Sequence, residues 1–362
     1  MKKVLTILSI LLMTVAFGTS NALAAESGNE INPKEIIFDH LGDGYGWEVP
    51  FSHSHRIPLP VIVCDYEGSW HIFSSSRLSH GGEYDGFKLA TEGSYRNKVV
   101  GMRPDGNGGM EEYRPLDLSI TKNVAALMIS AIVVMLMVFS VVRWYKRHGM
   151  KAPRKGVGAV EVVISYIYDG VIKPTLGVKA KKFAPYLLTV FFFILTMNLL
   201  GLVVIFPGGA NLTGNVAVTL VLSVCTFLMT NVFGTKHYWK DIFWPDVPLW
   251  LKFPIPIMPI IELFGIFTKP AALTVRLFAN MMGGHMIVIV LTLLIFIFTA
   301  IGGLAVGGLT TVVSGAFSLF MLLIDTLVSF IQAYVFTMLS TLFIALAQAG
   351  GEHEAASEGE AH

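Results

Sequence analysis

The sequence predicts an all-α polytopic membrane protein that carries a small β-rich region on its N-terminal side. Hydrophobic residues make up 54% of the 362 residues and charged residues only 14%, whereas soluble domains carry about 25% charged residues. The mean hydropathy is +0.64. Long apolar stretches follow a polar N-terminal part that is broken by glycine and proline. Composition and patterning together indicate helices that cross a membrane.

The same composition excludes several classes of function. The net charge of +1 does not suit a broad nucleic-acid surface. No GxxxxGK[ST] loop occurs in the chain, so direct ATP binding is not expected. Cys64 and Cys225 lie in different segments, and neither belongs to a CxxC pair. We therefore expect no disulfide framework, no zinc site and no cofactor.

Residues 1–24 have the pattern of a signal peptide. Lys2 and Lys3 precede an apolar run at 4–17, and small residues at 22–24 form a candidate cleavage site. The alternative is an uncleaved first membrane helix, but a spanning helix needs about 20 apolar residues. The signal-peptide interpretation places the following region outside the cytoplasm.

Residues 25–120 are predicted to form a β-rich extracytoplasmic domain. Short runs at 59–63, 70–74, 86–89 and 98–102 have strand character, and a glycine-rich turn signal lies at 105–109. Four histidines raise the alternative of a metal site, namely His53, His55, His71 and His80. No carboxylate or cysteine is spaced to complete such a site, so surface histidines are favoured.

Residues 121–349 are predicted to form the membrane domain, with five helices at about 123–142, 183–206, 216–233, 256–301 and 311–348. The first ends in a basic and aromatic anchor at 143–147. From 143 to 182 there are ten Lys and Arg residues against Glu161 and Asp169. The positive-inside rule places that segment in the cytoplasm. The tryptophan-rich stretch 237–253 suits the headgroup plane.

The last two helices are too long to stand upright in a bilayer. As unbroken helices they would measure roughly 69 and 57 Å, against a hydrocarbon core of about 30 Å. Each must be strongly tilted, broken or extended beyond the membrane. The glycine-rich run 302–308 joins them, which predicts an antiparallel hairpin. The acidic tail 350–362 is expected to be disordered and cytoplasmic.

Arg276 lies in the first of these two apolar runs. An arginine at the bilayer centre costs roughly 2.5–3.5 kcal/mol on insertion scales, so it normally faces protein or water. The alternative is an arginine that snorkels to the interface. Spacings of seven place Glu262 and Lys269 on the same helix face as Arg276, and Asn280 extends this face by one turn.

A second polar stripe follows the last helix. Ser318, Asp325 and Gln332 repeat the spacing of seven, and Ser329 lies four residues beyond Asp325. Two polar stripes predict the lining of an ion pathway, although interhelical hydrogen bonds are an alternative. His285 lies nine residues from Arg276, which places it on another face of an ideal helix. A histidine bonded inside the bundle therefore stays open as an alternative.

Residues 118–350 resemble the membrane stator subunit a of F-type ATP synthases. The strongest block is Lys-Pro-x-x-Leu-x-x-Arg-Leu-Phe-x-Asn-Met at 269–281. The resemblance implies that Arg276 is the essential stator charge, and that Asn280 and Gln332 are the conserved polar positions near it. The family also uses an acidic residue and a histidine at two coupled positions, and His285 with Asp325 is the exchanged arrangement. Residues 26–120 depart from the family pattern, since many members have a much shorter N-terminus.

The resemblance implies a proton-translocating subunit that binds no nucleotide, and whether the isolated chain catalyses anything stays open. Its partners would be a ring of c subunits, whose carboxylates pass Arg276, together with b-type peripheral stalk subunits and membrane lipid. Asn280, His285, Asp325, Ser329 and Gln332 would line the proton pathway, with Glu262 and Lys269 nearer the cytoplasmic exit. The expected location is a bacterial inner membrane, with the N-terminal domain periplasmic. The alternative from another class is a stand-alone secondary transporter that binds an anionic substrate through Arg276.

Overall fold

A computed structural model describes residues 42–49, 52–90, 95–104, 110–149, 151–153, 156–203, 211–243 and 257–348. The signal peptide predicted at 1–24 and the tail predicted at 350–362 lie outside these residues. The described part begins with short strands and continues with helices. It is therefore a mostly helical chain with a β-containing N-terminal region, as the composition indicates.

The N-terminal region contains eight strands in three antiparallel sheets among the residues described. The strands are β1 (Gly46–Val49), β2 (Ser52–Pro58), β3 (Pro60–Cys64), β4 (Trp70–Ser74), β5 (Phe87–Leu89), β6 (Val99–Pro104), β7 (Met110–Tyr113) and β8 (Leu116–Asp117). The sheets have the orders β1-β2, β4-β3-β8 and β5-β6-β7. Strands β3 to β6 overlap the four runs with strand character, whereas β1, β2, β7 and β8 were not predicted.

The core of this region is built from alternate residues of its strands. Val61 and Val63 of β3 are completely buried, and they pack in one cluster with Phe73, Phe87 and Val99. Because side chains alternate along a strand, the residues between them point to the opposite face. One face of the sheet β4-β3-β8 therefore covers the core, and the other faces away from it.

Two tyrosine–carboxylate hydrogen bonds hold distant parts of this region together. The Tyr45 hydroxyl donates to Asp117 and accepts from the Val99 amide at 3.3 Å. Burial, and then the hydrogen bond to the Asp117 carboxylate, raise the pKa of Tyr45 above its usual value. The Tyr113 hydroxyl donates to Asp65, and burial followed by this bond raises the pKa of Tyr113 to about 12.

Tyr113 also explains a glycine in the neighbouring strand. Gly101 of β6 pairs with Tyr113 of β7, and the tyrosine ring covers the glycine. A Cβ atom added at Gly101 would lie 2.7 Å from Tyr113 Cε1, which is too close for any side chain. Only glycine permits this approach of ring and backbone.

Seven helices follow among the described residues. They are α1 (Lys122–His148), α2 (Gly156–Ile167), α3 (Lys173–Leu176), α4 (Ala180–Leu202), α5 (Val216–Val232), α6 (Lys236–Phe243) and α7 (Ile257–Gln348). A π-helical turn at Tyr168–Ile172 joins α2 to α3, and a 3-10 turn at Gly177–Lys179 joins α3 to α4. Asn215 caps α5, because its side chain accepts a hydrogen bond from the Ala217 amide at 3.0 Å.

The β region passes directly into the first helix. The Lys122 amide donates to the Gly44 carbonyl at 2.8 Å, and the Asn123 amide donates to Asp43 Oδ1 at 3.1 Å. Asp43 thus satisfies an amide of the first turn of α1, where helix amides lack partners within the helix. These bonds join the beginning of the described β region to the start of α1.

Four helical stretches in the described residues are long and apolar enough to cross a membrane. They are Lys122–His148, Gly156–Leu202, Ile260–Ile295 and Gly307–Gln348. Helix α5 is 17 residues long and bends by 102° into α6. The count is five if this bent pair is one span. The chain is therefore a multi-pass membrane protein. Its described residues contain four or five candidate spans, whereas five helices were predicted for the whole chain.

The structure differs from the expected helices in two places. Helical backbone begins at Gly156, so the second apolar stretch extends for 47 residues and includes much of the basic segment 143–182. Lysines such as Lys173 and Lys181 are exposed, while apolar residues of the same turns, such as Ile172 and Phe183, are buried. The glycine-rich run 302–308 also has helical backbone, so helical residues continue through the run that was expected to join the two helices.

The chain divides into two compact units. The first contains the described residues up to Ile129 together with those of 200–211 and 284–324. The second contains the described residues of 130–199, 212–283 and those from Asp325 onward. In the second unit, α4 buries Leu187, Phe191 and Ile194, and the Phe191 ring meets Phe330 edge-on at 5.8 Å.

Candidate functional site

Most of the predicted site residues of α7 lie on two antiparallel segments within the second unit. Asn280 Nδ2 donates to Gln332 Oε1 at 3.3 Å across a separation of 52 residues. Lys269 Nζ lies 5.6 Å from the ring centroid of Phe343. A straight helix would hold residues 52 apart at about 78 Å, so the chain must reverse between them. Both pairs are centred on residue 306, as an antiparallel hairpin requires.

Arg276 lies on the outer surface of the segment 257–283. Its side chain is exposed, as is that of Val275 at 62%. The flanking Leu273 and Leu277 are buried on the inner face. Among the described residues of its unit, no carboxylate forms an ion pair with Arg276. The guanidinium is therefore presented outward from an apolar helix, and no described carboxylate of its unit pairs with it.

The other residues of the first polar stripe differ in exposure. Glu262 and Asn280 are exposed, as Arg276 is, whereas Lys269 is half-buried against Phe343. Residues seven apart drift by about 20° per repeat around an α-helix, which moves successive members relative to the buried face. The stripe runs along the outer face and its edge. Two of its members reach the second segment: Asn280 hydrogen-bonds Gln332, and Lys269 lies over the Phe343 ring.

The second polar stripe is more enclosed. Ser329 and Gln332 are buried, and Asp325 is half-buried. The Ser329 hydroxyl donates to the backbone carbonyl of Asp325 at 2.7 Å, which is a bond within one helix. The hydrogen bond between Gln332 and Asn280 thus joins the two stripes directly. Ser318, the remaining member, belongs to the first unit.

His285 also belongs to the first unit, just beyond its boundary at Gly284. The side chain is half-buried. Its Nε2 atom is enclosed and has no hydrogen-bond partner among the residues that the structure describes. A buried polar atom without a partner costs about 1–3 kcal/mol. The structure therefore shows an enclosed imidazole nitrogen whose partner is not among the described residues, and its coupling to Asp325 stays a prediction.

A cluster of hydroxyl groups near Lys269 was missed by the sequence reasoning. Ser223 of α5 lies 2.6 Å from Thr274 of α7. Thr226 Oγ1 lies 3.1 Å from the Tyr186 hydroxyl and 3.3 Å from Ser340 Oγ. The signal was present in the spacing of Ser223, Thr226 and Thr230 by three and four residues, which places them on one helix face.

A small cavity adjoins this cluster inside the second unit. Its volume is about 20 Å³, and a cavity needs roughly 10–15 Å³ to hold a water molecule. Polar side chains of α5, α6 and α7 contribute to its lining, including Thr230, Asn231, Tyr238 and Lys269. The cavity is large enough for a water molecule and has polar side chains in its lining. One of them, Lys269, lies seven residues before Arg276.

Within the described residues, no group of three or more His, Cys, Asp or Glu side chains could hold a metal ion. His71, one of the four histidines considered above, is hydrogen-bonded to the Asp85 carboxylate through Nδ1. The side chains of His53, His55 and His80 lie outside the part that the structure describes.

Comparison with known proteins identifies the family. The family model described as ATP synthase A chain matches residues 125–345, and a domain of unknown function matches residues 36–118. The chain is 41% identical over 278 residues to ATP synthase subunit a of Pelodictyon phaeoclathratiforme, covering 74% of this chain and 77% of that protein.

Two further relatives are also named ATP synthase subunit a. Identity is 43% over 255 residues with ATP synthase subunit a of Chlorobium phaeobacteroides, covering 68% of this chain and 70% of that protein. It is 42% over 246 residues with the Myxococcus xanthus protein, covering 66% and 76%. The matched residues include both polar segments of α7. The chain belongs to the ATP synthase A chain family.

Proposed function

We propose that this chain is the stator subunit of the Fo sector of an F-type ATP synthase. In that role it provides two aqueous half-channels for protons that move onto and off a rotating ring of c subunits. Family membership and the membrane-spanning helices support the role. The observation that carries the proposal is Arg276, exposed on an apolar helix and without a carboxylate partner among the described residues of its unit.

The chemistry follows from one fixed cation and one moving carboxylate. A guanidinium within about 4–6 Å of a carboxylate favours the ionised form, so the proton leaves. In lipid the same carboxylate is favoured in its protonated form, because a bare charge is too costly there. Arg276 therefore makes the ring carboxylate release its proton as it passes, and it separates the two half-channels. Arginine suits this task because it does not deprotonate in proteins.

The polar residues divide between the two half-channels. We assign Asn280, His285, Asp325, Ser329 and Gln332 to the pathway from the outside. Glu262 and Lys269 belong nearer the cytoplasmic exit, where the cavity of about 20 Å³ supplies space for water. The relay role of His285 and Asp325 rests on the ability of histidine to titrate near neutral pH.

The orientation and the partners follow from the same assignment. The basic segment 143–182 favours a cytoplasmic location, which leaves the β region on the periplasmic side of a bacterial inner membrane. The partners are the ring of c subunits, b-type peripheral stalk subunits and lipid. The match over residues 125–345 does not favour a stand-alone secondary transporter that binds an anion through Arg276.

The test compares two neighbouring residues of the outer face in the assembled ATP synthase. Arg276→Ala removes the charge, and Val275→Ala removes only apolar volume from an equally exposed position. ATP-driven proton pumping and proton-driven ATP synthesis are measured in membrane vesicles. We expect Arg276→Ala to lose both activities and Val275→Ala to retain them. Coupled transport at the normal rate in Arg276→Ala would refute the proposal.

A further inference from the structure

The sheet β4-β3-β8 carries an apolar face that no described part of the N-terminal region covers. Trp70 and Ile72 of β4 and Leu116 of β8 lie on this face, and Leu118 follows in the same alternation. Their side chains are between 54% and 72% exposed. We call the set Trp70, Ile72, Leu116 and Leu118, together with the half-buried Ile62 and Cys64, the outer face.

The strand register places these residues together. Ile62 pairs with Ile72, and Cys64 pairs with both Trp70 and Leu116. Paired residues of antiparallel strands point to the same side of a sheet. The Leu118 amide bonds to the Ile62 carbonyl at 2.9 Å, which continues the pairing beyond β8. The outer face is therefore one continuous surface with no charged member, and apolar surfaces of this kind mark contacts with lipid or protein.

Only residues 118–121 separate β8 from α1, so a bilayer that α1 crosses must begin close to this sheet. The basic anchor at 143–147 sets the inner boundary of α1, and about 20 residues span the hydrocarbon core. The outer boundary therefore falls near Asn123. At about 3.3 Å per strand residue, Leu118 lies at most about 13 Å from Lys122, and Leu116 at most about 20 Å.

The attachment of the β region to α1 is also fixed. The Lys122 and Asn123 amides donate hydrogen bonds to Gly44 and Asp43. The start of the helix, which follows the last strand in the chain, is therefore also bonded to the beginning of the described β region. Exposed apolar side chains continue along the first turns of α1 at Val124 and Met128. The β region is thus attached to a helix that begins with exposed apolar side chains and is long and apolar enough to cross a membrane. The outer face contains Trp70, and tryptophan is enriched at membrane–water interfaces.

We propose that the outer face of the β region docks on the lipid headgroup and upper acyl layer of the membrane that α1 crosses. This contact anchors the β region as a second membrane-binding element beside the helices. It does not depend on proton transport by the membrane domain. The headgroup layer adds about 5–8 Å on each side of the core, so the part of the sheet nearest α1 meets it first.

The experiment uses the full chain in phospholipid nanodiscs. With Cys64→Ser and Cys225→Ser, a single cysteine is introduced by Leu116→Cys and labelled with an environment-sensitive fluorophore. The control label is placed by Glu83→Cys, an exposed position outside the outer face. We expect a blue-shifted emission and loss of fluorescence with nitroxide-bearing lipids for the label at 116, and neither effect at 83.

A second variant separates the outer face from other causes of quenching. Ile72→Asp with Leu118→Asp changes two exposed side chains and leaves the buried core intact. The label at 116 should then shift to the red and lose its quenching by nitroxide lipids. Quenching that persists in this variant would overturn the proposal. Protection from aqueous iodide without quenching by lipid would also overturn it, in favour of a protein segment on the face. Free access of iodide would show the face to be bare.

Discussion

The N-terminal β region and the hairpin of α7 treat their charged groups in opposite ways. In the β region, Arg103 pairs with Glu111 at 2.8 Å and Lys88 with Glu112 at 2.7 Å. The hydroxyl of Tyr45 meets the Asp117 carboxylate. On α7, the exposed Arg276 has no carboxylate partner among the described residues of its unit. The first region pairs these charged groups internally, and the second presents a cation outward.

The difference follows from the cost of a charge in each solvent. An exposed ion pair in water contributes about 0–1 kcal/mol to folding stability, so the pairs of the β region change the stability of that region little. A cation at membrane depth costs several times more, and a helix keeps it only where another group meets it. In the proposed role, a carboxylate of the c-subunit ring is the group that meets Arg276.

The largest effect on coupled transport is expected from a change of the cation at Arg276. Arg276→Lys keeps a cation but loses the planar, bidentate guanidinium. We expect coupled transport to fall by about tenfold or more, since one charged hydrogen bond contributes about 1.5–3 kcal/mol and 1.4 kcal/mol is tenfold. The loss should grow at high pH, because lysine can deprotonate and arginine cannot. ATP-driven pumping across a pH series measures it, and full activity at all pH values would contradict this account.

The next effect concerns His285 and Asp325. Exchanging the two residues by His285→Asp with Asp325→His keeps one titratable pair in reversed order. We expect each single variant to lose most proton transport and the double variant to recover part of it, because coupled groups share the proton. The measurement is the rate of ATP-driven proton pumping by the two single variants and the double variant. A double variant no better than either single one would contradict direct coupling.

A smaller effect is expected at the hydrogen bond between Asn280 and Gln332. Intramembrane hydrogen bonds contribute about 0.6 kcal/mol on average, so Gln332→Ala and Asn280→Ala should each destabilise the hairpin modestly. Because they remove the same bond, the double variant should be less destabilised than the sum of the two. Thermal unfolding of the purified chain measures this cycle. Ser329→Ala is the control, since its hydroxyl bonds within its own helix; strict additivity would exclude the contact.

The β region should respond to a change that leaves transport unaffected. Gly101→Ala forces a methyl group against the Tyr113 ring, and overpacking of this kind costs typically 1–3 kcal/mol. Protease resistance of the β region should fall while pumping stays at the normal rate. Gly44→Ala is the matched control, because nothing lies within 4 Å of the added Cβ. Equal resistance of the two variants would argue against the contact.

Much of the fold could be predicted from the sequence, because long apolar runs and period-two strands leave local signals. The pattern of β3 is visible in Val61 and Val63, whose buried side chains alternate with Ile62. Strand β8 has two residues and forms by pairing with β3, some fifty residues earlier in the chain, so it leaves no local period. The apolar outer face was likewise hidden, since Ile72 and Leu116 look like core residues in a sequence.

The candidate site was predictable in its residues but not in its contacts. Arg276 was identified as a charge within an apolar run and Gln332 by the spacing of seven, and the glycine-rich run 302–308 predicted the hairpin. The pairing of Asn280 with Gln332 depends on where the chain reverses, which a run of helical glycines does not specify. The hydroxyl contacts of Ser223 and Thr226 depend on how α5 packs, and this information is not local either.

The central claim is that the open cation on α7 is met by a group on the neighbouring ring. Disulfide cross-linking in the assembled complex tests it, with Cys64→Ser and Cys225→Ser as background and a cysteine placed beside the ring carboxylate. Val275→Cys lies next to Arg276 on the exposed face, whereas Leu277→Cys is a buried control. We predict a cross-link from position 275 and none from 277. No cross-link from 275, or an equal yield from both, would contradict the claim.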